Sequence, residues 1–593
     1  MCVLQCPRTI GVVVALSPAA AGARPDSIPV QDSSASYREE AMGQELAQRT
    51  LEFTAPPPAG DEEGPAEAGG REGKRGRRRV TATEMAKQQR EISVSEFFTK
   101  NRHLLGFDNP RKALLTCIKE AVDNSLDACE EAGILPEVKV TVKEVRKEER
   151  YRVIVEDNGP GIVPKQVPKV FGKLLYGSKF HRLKMSRGQQ GIGISAAAMY
   201  GQLTTGQPTV IISKIGQGKP AVRCELMIDT KKNEPRVIHE GECDWNGAHG
   251  TRVEIELEAR YQRGRQSVDA YLEQTAITNP HVRMLYTPPD GDPHEFPRAT
   301  ADLPAEPKTI KPHPQGIELG MLMAMLESTR ARNVRAFLTQ EFSRVSGRVA
   351  DNILAAAKIE PSARPSRIAR QEAETLYKAI QATRIMNPPT DCVVPIGEEL
   401  LLKGVKKELE ADFYAAVSRP PAVYRGNPFV IEAAVAYGGK VPDEGPVRVY
   451  RFANRVPLLY QQSACAITRA ISSISWRPYG LSQPSGSLPM GPAIVVVHMA
   501  SVWVPFTSES KEAIAHYPEI IKEIKLALQA CGRKMSLHIK RRRREAEAER
   551  KRSYIEKYIP HIGIGLREIL ALSQREEQAI VEKLTEMLHK SRK

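Results

Sequence analysis

No run of about 18 apolar residues occurs in this 593-residue chain, so no membrane-spanning helix is expected. Its nine cysteines form no CxxC pair and no paired metal-site spacing, which points to reduced thiols in a reducing compartment and away from a zinc site. There is no internal repeat. A P-loop is also missing, since the nearest lookalike, Gly218-Lys219-Pro220, lacks the spacing and the Ser/Thr. One class of DNA-cutting enzyme uses a nucleophilic tyrosine together with an acidic metal cluster that includes a DxD. The single DxD here, Asp290-Gly291-Asp292, lies between prolines and follows no apolar strand, so a loop is expected there and no cleavage site. A weak Ala/Val-rich stretch, Ile10–Ala21, has only Arg8 as a basic flank and is interrupted by Pro18. It reads as leader and not as a signal peptide.

What is present is length and positive charge. At this length the chain is too long for one core, and about three or four domains are expected. The net charge of +15 favours an anionic partner, with nucleic acid the commonest. Residues 1 to about 90 are rich in Ala, Pro, Gly and Glu without a period, which predicts a disordered leader over 1–92. That leader carries the run Lys74-Arg75-Gly76-Arg77-Arg78-Arg79, a candidate nuclear localisation signal, DNA-touching tail or solubilising run. From Ser93 onward the patterns change. A helix is predicted over Pro110–Glu131. Strands are predicted at 138–145, 151–156, 209–214, 221–228 and 250–257, which suggests an α+β sandwich. A helical region follows between Thr309 and Arg384. Strands return past Pro388-Pro389, with a strand–helix–strand crossover signal over 447–499. A charged helical stretch is predicted from about Ser508 to Tyr558. There Lys540–Arg544 is a candidate phosphate-contacting patch or simply a solvated helix face.

Three short motifs carry chemistry. On the predicted helix, Leu114, Ile118, Ala121, Val122 and Ser125 fall on one side, while Glu120, Asn124 and Asp127 share another. The strand ending in Asp157 runs into Asn158-Gly159-Pro160-Gly161, a tight turn that can bring a carboxylate close to a ligand amine. The phrase Gly188-Gln189-Gln190-Gly191-Ile192-Gly193-Ile194 opens an apolar helix, and exposed N–H groups at a helix start suit phosphate. Its order is GxxGxG, not the dinucleotide GxGxxG, and no Rossmann unit surrounds it.

Taken in order, these pieces resemble the GHKL ATPase family, which includes the gyrase ATPase, heat-shock chaperones, MutL and histidine kinases. The wording around Glu120–Ala128, Phe171–Phe180 and Arg187–Ala196 is similar to one branch, the B subunits of type IIB topoisomerases of the topoisomerase VI kind. So is Val504–Ala513. The resemblance extends from about Ser93 to about Tyr558 and implies a GHKL ATPase domain over 93–308. It implies a helix-two-turns-helix domain over 309–388 and a transducer with a right-handed βαβ crossover and long helix over 389–558. A helical tail would occupy 559–593. It implies ATP and Mg²⁺ as cofactors, Glu120 as general base, Asn124 as Mg²⁺ ligand and Asp157 as adenine acceptor. Gly161, Ser178, Lys179, Arg187, Gly188, Gln189, Gln190, Gly191, Ile192, Gly193 and Ile194 would bind nucleotide, and Phe171–Arg187 would form the lid. Lys511 would reach the ATP site from the transducer. The implied assembly is a self-dimer through the ATPase domain, joined to two A subunits in a heterotetramer on double-stranded DNA, without sequence preference. The leader suggests a nuclear, eukaryotic version, with decatenation during endoreduplication as the family-level process. Competing readings are a non-hydrolysing scaffold of a meiotic DNA-break complex and another GHKL clamp of the MutL kind. The retained ATP motifs oppose the first; the 309–384 insert and the Lys511 phrase oppose the second.

Overall fold

A computed structural model of the chain describes residues 82–88, 92–177, 182–188 and 191–590. The expected basic run at 74–79 and most of the leader lie outside these residues. Of the leader, one seven-residue helix is described, α1 (Ala82–Gln88). Everything from Arg90 onward forms a second unit.

That unit begins with α2 (Val94–Lys100), capped by the Ser93 hydroxyl, which accepts from the Glu96 N–H at 3.1 Å. The 22-residue helix α3 (Pro110–Glu131) starts on Asn109, whose side chain accepts from the Arg111 N–H. Pro110 at the first helical position needs no N–H partner. Leu114, Ile118, Ala121, Val122 and Ser125 along it are buried, as the periodicity predicts, and so is Leu126.

α3 packs on an eight-stranded sheet. Its strands are β1 (Glu137–Arg146), β2 (Arg150–Asp157), β3 (Thr209–Lys214), β4 (Ala221–Asp229), β5 (Glu234–Cys243), β6 (Gly250–Glu258), β7 (Arg283–Thr287) and β8 (His294–Phe296). The spatial order is β5-β4-β3-β6-β2-β1-β7-β8. β1 and β7 pair in parallel, and the other neighbours are antiparallel. Three further helices complete the layer: α4 (Val167–Gly172), α5 (Gly193–Thr205) and α6 (Val268–Thr278). The apolar faces of helices and sheet fuse into one core containing Leu114, Ile118, Val153, Ile211, Tyr271 and Leu272. Sequence periodicity did not predict β5, β7, β8 or α6. β5 is an edge strand whose residues are mostly exposed, so it carries no inside–outside alternation; in β7 the exposed Leu285 masks the alternation, and β8 is too short for one.

Four helices follow: α7 (Leu319–Ser328), α8 (Val334–Glu341), α9 (Gly347–Ala357) and α10 (Arg370–Ala382). Around Phe337, Leu338, Ile353, Leu354 and Leu376 they build a separate hydrophobic core. The next segment opens with α11 (Glu398–Glu408), which packs on α6. Gly404 lies so close to the Ile277 carbonyl that a Cβ would collide with it.

A second sheet comes after: β9 (Phe413–Ser418), β10 (Ala422–Tyr424), β11 (Asn427–Tyr437), β12 (Arg448–Ala453), β13 (Val456–Pro457) and β14 (Ala493–Ser501). β14 is buried along its whole length, and β11 along all but its ends, so both read as largely apolar runs, interrupted by Glu432 in β11 and His498 in β14. β12 and β14 are parallel neighbours with α12 (Ala466–Ser472) on the connection between them, the strand–helix–strand unit expected. The last long helix begins at Pro518, not near Ser508, because residues 506–514 close a loop through Thr507 N–H to Ala513 O and a Phe506/Ile514 bridge. It also runs past the expected boundary at Tyr558: α13 (Pro518–Leu570) continues through Pro560, and α14 (Gln574–Lys590) folds back along its end, with Val581 seated where Gly563 lacks a side chain. Among the described residues, no helix is long and apolar enough to cross a membrane.

Candidate functional site

The three motifs meet in one cavity of about 600 Å³ between α3, the end of β2 and the start of α5. That volume lies within the range of small-molecule sites. From α3 it is lined by Lys119, Glu120, Asn124, Ser125 and Asp127. Asp157 and Gly161 come from the turn after β2, and Gly188, Gly191, Ile192, Gly193 and Ile194 from the glycine-rich loop.

Asp157 is fixed before any ligand arrives. One oxygen accepts from the Ser125 hydroxyl at 2.7 Å. The other accepts from the N–H groups of Gly159 (2.9 Å) and Thr251 (3.2 Å). Burial raises its pKa, and those three donors partly offset the shift. The neighbouring Asn158 ties the turn to the entry of β1, accepting from the Glu137 N–H and donating to the Leu135 carbonyl. Gly161 has φ +73° and sits against the Lys214 carbonyl, so two separate constraints require glycine.

Glu120 lies against the first residue of α5. A Cβ at position 193 would overlap its carboxylate, so the third glycine of GxxGxG makes room for an acid at a helix N-terminus. Such a position favours negative charge. Among the described residues, Glu120 has no hydrogen-bond or ion-pair partner, and its carboxylate faces the cavity. An acid so placed can take a proton from a water held between it and a bound phosphate. Lys119, which motif reading passed over, also lines this end. Burial lowers its pKa, while Glu120 and Asp123 pull it back up. Its position directly before Glu120 was the only clue in the sequence.

A lysine from the C-terminal module completes the cavity. Lys511 is buried, adopts φ +54°, and lines the space with Glu509 and Ser510. Its Nζ stands 3.5 Å from the Arg187 carbonyl, a long and weak contact. The adjacent Glu512 forms an ion pair with Lys112 of α3, which anchors this loop to the helix bearing Glu120.

Arg187, also expected to bind nucleotide, is not among the residues that line the cavity. Its guanidinium packs against the last turns of α3, bonding Asp127 (2.9 Å), Glu130 (2.6 and 2.8 Å) and Asn279 (2.6 Å). Burial alone would disfavour both charges. Their mutual attraction outweighs it, holding Glu130 well below the usual carboxylate range and Arg187 above its ordinary value. Four hydrogen bonds through its two terminal nitrogens make this side chain a brace, with Nε left unpaired among the described residues. Ser178, Lys179, Gln189 and Gln190, the other expected ligand contacts, lie outside the described residues or their described side chains. The Asp290-Gly291-Asp292 segment forms the turn between β7 and β8, with Asp290 paired to Arg263. Lys540–Arg544 lies exposed or nearly so on α13, where Arg541 pairs with Glu545 and Arg542 with Asp412.

Comparison with known proteins matches both modules. Residues 109–261 match the family of histidine kinase-, DNA gyrase B- and HSP90-like ATPases, and residues 388–551 match the topoisomerase VI B subunit transducer. Three relatives are B subunits of type 2 DNA topoisomerase 6. That of Archaeoglobus fulgidus is 48% identical over 509 residues, covering 86% of this chain and 84% of the relative. That of Methanosarcina barkeri is 49% identical over 504 residues, covering 85% and 81%. That of Methanococcoides burtonii is 50% identical over 504 residues, again covering 85% and 81%.

Proposed function

The chain belongs to the family of type 2 DNA topoisomerase 6 B subunits, and from that premise we propose how its cavity powers the reaction. It is the ATP-dependent subunit of a type IIB DNA topoisomerase, with an ATPase module of the GHKL kind. The observation that carries the detailed reading is the meeting of Glu120, Asn124, Asp157 and Gly193 in one cavity, with Lys511 arriving from the other module.

In this reading Asp157 accepts a hydrogen bond from the adenine amine, its geometry already set by Ser125 and Thr251. The N–H groups from Gly188 to Ile194, with Ser178, Lys179, Gln189 and Gln190, surround the phosphates. Gly161 lets the backbone pass close to the base. Asn124 offers the hard amide oxygen that Mg²⁺ prefers, and the ion would neutralise phosphate charge there. Glu120 accepts the proton of the attacking water as its oxygen bonds to the γ-phosphorus and the bond to ADP breaks. Lys511 faces the charge that develops on the γ-phosphate.

ATP binding closes two copies of this chain into a clamp around duplex DNA. Hydrolysis and product release turn the transducer and reopen it. The break through which a second duplex passes is made by an A subunit, in an assembly of two A and two B subunits. Basic residues, Lys540–Arg544 among them, touch phosphates without reading sequence. The positive charge and the basic leader run favour a nuclear location and a role in decatenation during endoreduplication. The test is a relaxation assay on supercoiled DNA. Purified chain with ATP and Mg²⁺ is expected to hydrolyse ATP but leave the DNA supercoiled until the A subunit is added. Relaxation by demonstrably pure chain would overturn the division of labour, and absence of ATP binding would overturn the site.

A further inference from the structure

Two consecutive peptide carbonyls lead into the glycine-rich loop, and the transducer grips both. Lys511 touches the Arg187 carbonyl at 3.5 Å. The Asn454 amide donates to the Ser186 carbonyl at 2.9 Å. We propose that Asn454 is a positioning residue: it is the pivot that keeps the phosphate loop attached to the transducer when Lys511 turns to the γ-phosphate. This rests on reading the cavity as an ATP site.

The strength of the second grip comes from how Asn454 is held. It and Arg455 form the two-residue turn between β12 and β13, and both have positive φ, +48° and +68°. Asparagine tolerates that conformation, but arginine adopts it at a cost. The cost is offset by anchoring on β14. The Asn454 N–H donates to the Met499 carbonyl, its side-chain oxygen accepts from the Ser501 N–H, and its amide also donates to the Ser501 carbonyl, each at 2.9 Å. The Arg455 N–H donates to His498 Nε2 at 2.9 Å. That fixes the tautomer, since Nδ1 must then donate to Glu432, 2.8 Å away. Burial lowers the His498 pKa, which favours this neutral form. Glu432 in turn accepts from the N–H groups of Ile396 and Gly397, at the start of the module.

On the other side, the turn reaches the ATPase module at more than Ser186. The Arg455 carbonyl accepts from the Thr278 hydroxyl at 2.8 Å and from the Asn279 amide, and Asn279 also binds the Arg187 guanidinium. An unbroken polar path therefore runs from β14 through the turn to Arg187 and, by Asp127 and Glu130, to α3. Of the two grips, the 3.5 Å contact of Lys511 is the one that a phosphate can displace. The Asn454 contact is shorter, and the residue is buried.

The test uses the full-length chain with a non-hydrolysable ATP analogue, comparing wild type with N454G, N454D and K511A. Glycine keeps the positive φ and removes the grip. Aspartate keeps the acceptor for Ser501 and loses both donors. Hydrogen exchange is read in the turn peptide, 448–457, and steady-state ATPase is run in parallel. In wild type and K511A, the analogue is expected to slow exchange in the turn. In N454G and N454D that response should disappear, with KM within about twofold of wild type and kcat down about five- to tenfold, the weight of one or two buried hydrogen bonds. An unchanged turn response and kcat in N454G overturns the proposal. So does parallel loss of folding and nucleotide binding in both variants, which would make Asn454 a purely architectural residue. Failure of wild type to bind the analogue would instead refute the ATP site.

Discussion

The two faces of α3 carry the same kinds of charge and treat them in opposite ways. On the cavity side, Glu120 has no partner among the described residues and Lys119 and Lys511 stand near it. Toward the C-terminal end, ten residues along, Glu130 is bound twice by Arg187 and once by His281. A carboxylate left without a partner in a cavity is held ready for a ligand or a proton. A carboxylate saturated with buried donors transmits force and resists change. One helix thus carries both a reactive face and a bracing face, with no other element between them.

The sharpest way to break this contrast is Glu120→Gln. Loss of a general base lowers hydrolysis by about 100-fold or more, while equilibrium binding of ATP should stay within a few-fold. Steady-state turnover near the wild-type rate would remove Glu120 from the reactive face.

The bracing face predicts the reverse profile. Glu130→Ala leaves the buried Arg187 with Asp127 as its remaining carboxylate, and loss of one partner of a buried pair costs about 3 kcal/mol or more. Denaturant unfolding should show that loss in E130A, whereas E120Q should unfold close to wild type. Equal unfolding midpoints for the two variants would erase the distinction.

Asp123, buried between the faces, sharpens it further. The Tyr271 hydroxyl donates to it at 3.0 Å, but burial raises its pKa from 3.8 to about 6. An acid raised in this way holds its proton more tightly when folded. The stabilisation is complete below the ordinary carboxylate value and is lost as pH rises through about 6. The shift of about two units corresponds to about 3 kcal/mol at most. D123N, which does not titrate, should therefore gain stability relative to wild type between about pH 4 and about pH 7. A flat difference across that window would show that Asp123 ionises without penalty.

The smallest effect concerns Lys511. K511A should weaken analogue-driven dimerisation by about tenfold, the scale of one charge-assisted contact. Light scattering at several chain concentrations measures it. Unchanged dimerisation would return Lys511 to a loop lysine.

Much of the reactive face was legible because its residues are local. Glu120 and Asn124 lie one turn apart, Asp157 ends a clean alternating strand, and the glycines stand together. Lys511 came from resemblance, since nothing in its surroundings shows that a loop nearly 400 residues away faces Glu120. The bracing face was not legible. Arg187 sits within the most recognisable phrase in the chain, and the resemblance implied a nucleotide contact. Only the fold reveals Glu130, His281 and Asn279 around it. Asn454 and Arg455 were hidden for the same reason: positive φ at two ordinary residues leaves no mark in a hydrophobic pattern. Long strands and helices were visible through their periods, while β5 and β8 have no period to read and the exposed Leu285 hides that of β7.

The helix α13 has a mechanical consequence. Its 53 residues make a rod of about 80 Å at 1.5 Å per residue. Its buried side chains cluster up to Ser536, against the transducer sheet, and beyond that only Ile559 and Gly563 are buried. About 50 Å of the rod therefore extends past its bearing. A tilt of about ten degrees at the seated end sweeps the tip through roughly 9 Å, by simple geometry on that length. A shift too small to notice at Lys511 becomes, at Leu570, a displacement the size of a protein side chain.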